Sequence, residues 1–140
     1  MKKWICLCLC LLLLSGCVGK EEAAAEQPYG LEIEYGDSGV TATTGAYTWN
    51  WKEGDSVQGS SASAADPLSM LSVMPYVNES NAKTLKLLFQ KAPDSIGVQY
   101  RTSTDGYQSV HALETDGASL SAPTDGAGYL FQITAVWEQT

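Results

Sequence analysis

The sequence predicts an all-β domain, an antiparallel immunoglobulin-like β-sandwich of about seven short strands over residues 29–140. Two observations predict this fold class. Apolar and polar residues alternate with a period of two in several segments, as they do in strands that bury one face. Turn-forming residues separate these segments, with little helical pattern between them. The alternation is clearest in Leu31, Ile33 and Tyr35 and in Tyr129, Phe131, Ile133, Ala135 and Trp137.

The strand pattern recurs along the chain, and one long stretch interrupts it. The predicted strands cover residues 31–35, 40–44, 47–51, 85–90, 96–100, 109–114 and 129–137. Residues 54–81 are the least regular part, and we interpret them as a crossover between the two sheets, with a functional loop as the alternative. Within them, Asp66 and Pro67 predict the N-cap and first residue of a short helical turn. From this turn Leu68 and Leu71 are expected to face inward.

The N-terminus carries the pattern of a secretion signal. Lys2 and Lys3 precede ten apolar residues at positions 5–14, and Leu14-Ser15-Gly16-Cys17 follows. This apolar run is shorter than the roughly 18 residues that a membrane-spanning helix needs. The pattern resembles that of bacterial lipoprotein precursors. The resemblance implies that Cys17 receives a diacylglyceryl group and that the chain is cut just before it, whereas in an ordinary secretory signal Cys17 would be a bystander.

This interpretation divides the chain into three parts. Residues 1–16 form the lipoprotein signal peptide, residues 17–28 the lipidated cysteine with a flexible tether, and residues 29–140 the β-sandwich domain. The other cysteines, Cys6, Cys8 and Cys10, leave with the signal, so the domain is expected to fold without disulfides or a cysteine-bound metal. The chain has a net charge of −8. An acidic surface of this kind repels nucleic acid, so we expect no nucleic-acid partner.

Several short motifs in the predicted domain resemble a family of small uncharacterised lipoproteins of Gram-positive bacteria. Related domains occur at the ends of some membrane metallopeptidase sensors of the antirepressor type. This family has no known activity, so the resemblance carries no catalytic role over to this chain. Members of this family continue into one more strand after the strand that corresponds to residues 129–137. Because this chain stops at Thr140, we expect it to expose a sheet edge or to pair that edge with a partner. The motifs are residues 45–49 (GAYTW), 50–51 (NW), 65–68 (ADPL), 74–75 (MP), 92–95 (APDS) and 129–138.

Tyr47, Trp49 and Trp51 are the candidate ligand-binding residues. They alternate with polar residues and therefore share one face of a strand. Flat aromatic side chains stack on sugar rings when they are exposed, which would make this face a carbohydrate-binding or cell-wall-binding surface. The favoured interpretation is that they fill the core from a middle strand, because tryptophan is highly buried on average.

Three Thr-Asp-Gly triplets punctuate the C-terminal half and place Asp105, Asp116 and Asp125 before glycines. Asp-Gly favours tight turns, because glycine accepts positive φ and the aspartate bonds back to the backbone. A calcium site is the alternative, but the aspartates lack the dense spacing of a calcium loop. We therefore predict turns and no metal.

His111 is the one histidine, and it lies close in sequence to Ser109 and Glu114. A catalytic triad would need a serine beside a histidine that a carboxylate orients, and no nucleophile motif surrounds these residues. We predict a non-catalytic protein without cofactor, anchored to the cell membrane on its extracytoplasmic face. It would act as an interaction or sensory module, with a protein partner, or a glycan in the carbohydrate-binding alternative.

Overall fold

The computed structural model describes residues 26–77 and 84–138, and the predicted signal peptide, Cys17 and most of the tether lie outside these residues. The described part is built from strands and two short 3₁₀ turns, so the all-β prediction is confirmed. The 3₁₀ turns are Pro67–Met70 and Ser103–Asp105. The strands are β1 (Leu31–Tyr35), β2 (Ser38–Thr41), β3 (Tyr47–Glu53), β4 (Ser56–Ala62), β5 (Thr84–Phe89), β6 (Ser95–Thr102), β7 (His111–Leu113), β8 (Ser119–Ser121) and β9 (Tyr129–Val136).

Two antiparallel sheets pack around one apolar core in the manner of a sandwich. The first has the strand order β2-β1-β5-β8 and the second β7-β6-β9. Leu85, Leu87 and Leu120 of the first sheet and Val98 of the second are the buried residues of the core. Ile33 and Phe131 pack against them from β1 and β9. The specifically immunoglobulin-like connectivity stays a prediction.

The period-two pattern explains which face of each strand is buried. In β5, Leu85 and Leu87 point into the core, while Lys86 between them points to solvent. Lys86 there forms an exposed ion pair with Glu34 of β1, at 3.3 Å between Nζ and Oε2. Exposed pairs of this kind contribute little, about 0–1 kcal/mol, so burial of the leucines dominates the stability of this pairing.

Two hairpins share the same turn chemistry. Gly36-Asp37 connects β1 to β2, and Gly54-Asp55 connects β3 to β4. Both glycines have positive φ, +54° and +59°. A two-residue hairpin turn needs this conformation at its first position, and glycine adopts it without steric cost.

The strand β4 lies in the stretch that we expected to be an irregular crossover, so that expectation is wrong for residues 56–62. Its sequence is rich in serine and glycine, and six of its seven residues are exposed, so it has no apolar alternation to detect. It is held by β3 through seven paired positions. The short β8 was also not predicted, and the described residues therefore contain nine strands rather than seven.

The predicted helical turn is present, with one error. The carboxylate of Asp66 accepts a hydrogen bond from the amide of Leu68 at 3.2 Å, and Pro67 occupies the first position of the 3₁₀ turn. This confirms the predicted cap. Leu68 is half-buried as expected, but Leu71 is 39% exposed, so its inward orientation was wrong. The turn ends at Met70, and Leu71 lies beyond it as the C-cap.

Candidate functional site

The three candidate aromatic residues lie on β3 in a hairpin of its own. β3 pairs with β4 alone in the described part of the chain, so the prediction of a middle strand is wrong. Tyr47, Trp49 and Trp51 are half-buried on one face, and Thr48 and Asn50 on the other face are exposed. The alternation of faces is therefore as predicted, but none of the three belongs to the buried core.

Trp49 attaches this hairpin to the sandwich through an aromatic junction, which we define as Tyr29, Trp49, Phe89 and Trp137. The ring of Trp49 contacts those of Tyr29 and Trp137 in edge-to-face geometry, with centroids 5.2 and 5.6 Å apart. Trp137 also contacts Tyr29 at 5.4 Å and Phe89 at 5.9 Å. Because no strand ladder joins the hairpin to the described parts of the two sheets, these ring contacts are a principal attachment of β3.

Two groups next to the aromatic junction fix its rings. The indole Nε1 of Trp137 donates a hydrogen bond to the carbonyl oxygen of Lys91 at 3.0 Å. The ammonium of the same lysine lies 5.5 Å from the centre of the Tyr29 ring, within range of a cation–π contact. Tyr47 and Trp51, on either side of Trp49, take part in no ring contact within the described residues. They are the two residues of the predicted ligand face that do not belong to the aromatic junction.

The strand β9 forms one edge of the second sheet. It pairs with β6 over eight consecutive positions, from Tyr129 opposite Thr102 to Val136 opposite Ser95, without a bulge. Its other side has no paired strand among residues 26–77 and 84–138. The edge position, which the sequence left open, is therefore settled for this part of the chain.

The hydrogen-bond register shows which backbone groups of β9 face away from β6. The amide of Ser103 donates to the carbonyl of Gly128, one position beyond the paired strands. In an antiparallel ladder the bonded pairs alternate, so residues 130, 132, 134 and 136 bond to β6. The N–H and C=O groups of Tyr129, Phe131, Ile133 and Ala135 therefore point outward. We call this row of groups the β9 edge.

Within the described residues, the β9 edge lacks the usual protection of an exposed strand. Natural sheets guard their edges with charged residues, prolines, bulges or short strands. β9 has the sequence YLFQITAV, with no charged residue and no proline, and eight residues is long for a strand. Val136 at its end is 45% exposed. The β9 edge is thus a regular row of backbone groups on a strand without charged residues.

The predicted Asp-Gly turns are confirmed, with φ of +68°, +86° and +82° at Gly106, Gly117 and Gly126. Each carboxylate bonds to its own loop. Asp105 accepts from the amides of Gln108 and Ser109, and Asp116 from those of Ala118 and Ser119. Asp125 accepts from the amide of Ala127 and, at 2.7 Å, from the hydroxyl of Tyr129.

These hydrogen bonds have an electrostatic consequence. Bonds from Ser109, from the amides of Ala118 and Ser119, and from the amide of Ala127 hold the pKa values of Asp105, Asp116 and Asp125 below the usual range. In turn the carboxylate of Asp125 raises the pKa of Tyr129. The described residues hold no group of three or more histidine, cysteine or acidic side chains placed to bind one metal ion.

His111 is exposed on β7, and its ring stacks on that of Tyr100 with centroids 5.1 Å apart. The Ser109 amide donates to Asp105 at 3.0 Å, and within the described structure no hydrogen bond joins Ser109 or Glu114 to His111. The described residues therefore show no hydrogen-bonded arrangement of Ser109, His111 and Glu114. Tyr100 also contacts Tyr129 and Phe131, a cluster that sequence analysis missed because its members come from three strands.

The β9 edge and the aromatic face of β3 are thus the two surfaces of interest. Within residues 26–77 and 84–138, no helix is long and apolar enough to cross a bilayer. Comparison of the chain with protein-family models, with curated proteins and with solved structures finds no significant match.

Proposed function

We propose that this chain is a lipid-anchored, extracytoplasmic and non-catalytic interaction module that binds an extended segment of another protein along the β9 edge. The single observation that carries the proposal is the outward-facing row of backbone groups on an uncharged eight-residue edge strand. Edge strands of this kind bind peptides by strand addition, in which main-chain hydrogen bonds supply the affinity. The absence of an assembled catalytic device around His111 favours binding over turnover.

The register gives the size of the interaction. Four residues, Tyr129, Phe131, Ile133 and Ala135, each offer one N–H and one C=O to a partner strand. A peptide hydrogen bond contributes about 0.5–1.5 kcal/mol net. Ordering an extended peptide offsets much of that gain, so the affinity for one free segment is expected to be modest.

The lipid anchor compensates for modest affinity. Anchoring at Cys17 would confine the module to the plane of the membrane and raise its effective concentration toward partners held there. An aliphatic residue, two small residues and a cysteine after a short apolar run support the anchor. Cys17→Ala should abolish incorporation of a fatty-acid probe in growing cells. Equal labelling of the variant and the unmodified chain would contradict the anchor and leave the binding proposal untouched.

Proline substitution tests the binding edge. The N–H of Ala135 points outward, so Ala135→Pro removes one donor from the β9 edge without breaking the ladder to β6. Ala112→Pro is the matched control, because the register directs the Ala112 N–H outward from β7, the opposite edge of the same sheet. Thr134 is unsuitable, since its N–H bonds to β6.

Crosslinking in intact cells followed by mass spectrometry reads out the comparison. The full chain and the Ala112→Pro control should give the same crosslinked partner, and Ala135→Pro should lose it at equal abundance. Retention of the partner by Ala135→Pro would refute strand addition at this edge.

A carbohydrate or cell-wall ligand is the second candidate. The observation that favours it is that Tyr47 and Trp51 are half-buried aromatics on one face of β3, without ring partners in the described part. Titration of the full chain with peptidoglycan fragments tests it directly. Saturable binding that Trp51→Ala loses and Ala135→Pro retains would establish the carbohydrate site. Absence of binding to all fragments would reject it.

A further inference from the structure

We infer that the segment accepted by the β9 edge is cationic at its ends, an extended strand of alternating apolar and polar residues flanked by lysine or arginine. This inference rests on the proposed function and names the chemistry of the partner. It is carried by the charges that stand at the two ends of β9.

Carboxylates flank the strand on both sides. At the C-terminal end the Glu138 amide donates to Oδ2 of Asp94 at 2.6 Å, which places the Asp94 carboxylate against the backbone of Glu138, and both residues are exposed. At the N-terminal end Oδ2 of Asp125 accepts the Tyr129 hydroxyl at 2.7 Å, so a third exposed carboxylate lies next to the first residue of the strand. The strand between them is uncharged.

Among the described residues neither Lys91 nor Arg101 forms an ion pair with these carboxylates. Lys91 lies near Trp137, but its ammonium is 5.5 Å from the Tyr29 ring, on the aromatic junction. Arg101, opposite Leu130 on β6, directs Nη1 toward the carbonyl of Tyr107 in the loop that leads to β7. The whole chain is also acidic, with a net charge of −8. The negative charges at the two ends of β9 therefore favour a partner segment that carries positive charge.

The same charges argue against a second copy of this chain. If two copies paired antiparallel through β9, Asp125 of one would lie near Asp94 and Glu138 of the other, and like charges would meet at both ends. A cationic segment of another protein meets opposite charges at both ends. The inward-facing positions, Phe131 and Ile133, call for apolar neighbours on the added strand, and Gln132 and Thr134 on the other face call for polar ones.

Three synthetic peptides test the inference on the full chain in a nonionic detergent. All three share an alternating valine–threonine core of about eight residues, the length of β9. They differ only in the two residues added at each end, which are lysines in the first peptide, serines in the second and glutamates in the third. We expect the lysine peptide to bind about tenfold more tightly than the glutamate peptide at low salt, with the serine peptide between them. Added sodium chloride should shrink this difference.

Charge reversal on the protein locates the effect. Glu138→Lys keeps the backbone bond to Asp94 and should reduce the preference for the lysine peptide by several-fold. Glu114→Lys, the same charge change beside β7 at the opposite edge, should leave the preference nearly unchanged. A preference that responds equally to both variants would contradict a local effect at the β9 edge.

The outcomes separate the two proposals. Equal binding of all three peptides would reject the cationic partner and leave strand addition standing. Failure of all three to bind would reject strand addition itself. A concentration-dependent dimer in sedimentation that Ala135→Pro abolishes would show that a second copy, rather than a cationic segment, occupies the edge.

Discussion

Replacing Trp49 with alanine should release the β3–β4 hairpin while the two-sheet core stays folded. In the described structure the hairpin shares no ladder with either sheet, and Trp49 links it to Tyr29 and Trp137. An isolated two-stranded hairpin is at best marginally stable in water. Loss of the Trp49 ring therefore removes a principal attachment of β3 and β4 to the sandwich.

The geometry gives the size of the effect. Two edge-to-face ring pairs, with centroids 5.2 and 5.6 Å apart, are lost together. Each such pair contributes about 0.5–1.5 kcal/mol beyond the area that it buries, so the opening free energy of the hairpin should fall by about 1–3 kcal/mol. Amide protection in β3 and β4 should then fall by about 5- to 150-fold.

Hydrogen exchange followed residue by residue measures this change. Trp51→Ala is the matched control, because Trp51 lies on the same strand and face but makes no ring contact in the described part of the chain. It should lower protection in β3 and β4 much less. Two outcomes for Trp49→Ala would refute the role of the aromatic junction. Amide protection could fall equally in β3 and in the core strands, or it could fall in neither.

Two further predictions concern the core and the turns. Leu120→Ala should lower the free energy of unfolding in urea by about 2–5 kcal/mol, because Leu120 is 2% exposed. Leu88→Ala, at a position that is 44% exposed, should lower it far less. Equal losses in the two variants would contradict the assignment of the core. The lowered pKa of Asp116 means that its stabilising contribution is present above the ordinary carboxyl pKa of about 4 and is lost as pH falls through the lower folded value. Asp116→Asn should therefore show a shallower loss of thermal stability on acidification than the unmodified chain, and an unchanged acid dependence would contradict the hydrogen-bonded carboxylate.

Local pattern was sufficient to predict the strands that bury one face. β5, β6 and β9 alternate because one side of each meets the core. β4 escaped detection because neither of its faces is buried, and its strand conformation comes from pairing with β3. The signal that could have found it is the glycine–aspartate pair at Gly54, a two-residue hairpin turn that follows the β3 pattern directly.

The arrangement of the candidate site depends on contacts between distant segments of the chain, and no local sequence pattern reveals those contacts. The alternation in β3 predicts that Trp49 faces inward, but not that it faces Trp137 rather than the leucine core. Likewise the pattern of β9 is the same for a central and an edge strand. Its edge position follows from the sheet order β7-β6-β9, which is fixed by pairings between distant segments.

Amide exchange along β9, with and without the lysine-flanked peptide, tests the central claim most directly. Without peptide, the outward amides of Tyr129, Phe131, Ile133 and Ala135 should exchange quickly, while residues 130, 132, 134 and 136 should be protected by their bonds to β6. Saturating peptide should slow exchange at the four outward amides and leave the others little changed. Uniform protection along the strand before peptide is added, or fast exchange at the outward amides after binding, would contradict a free edge that accepts an added strand.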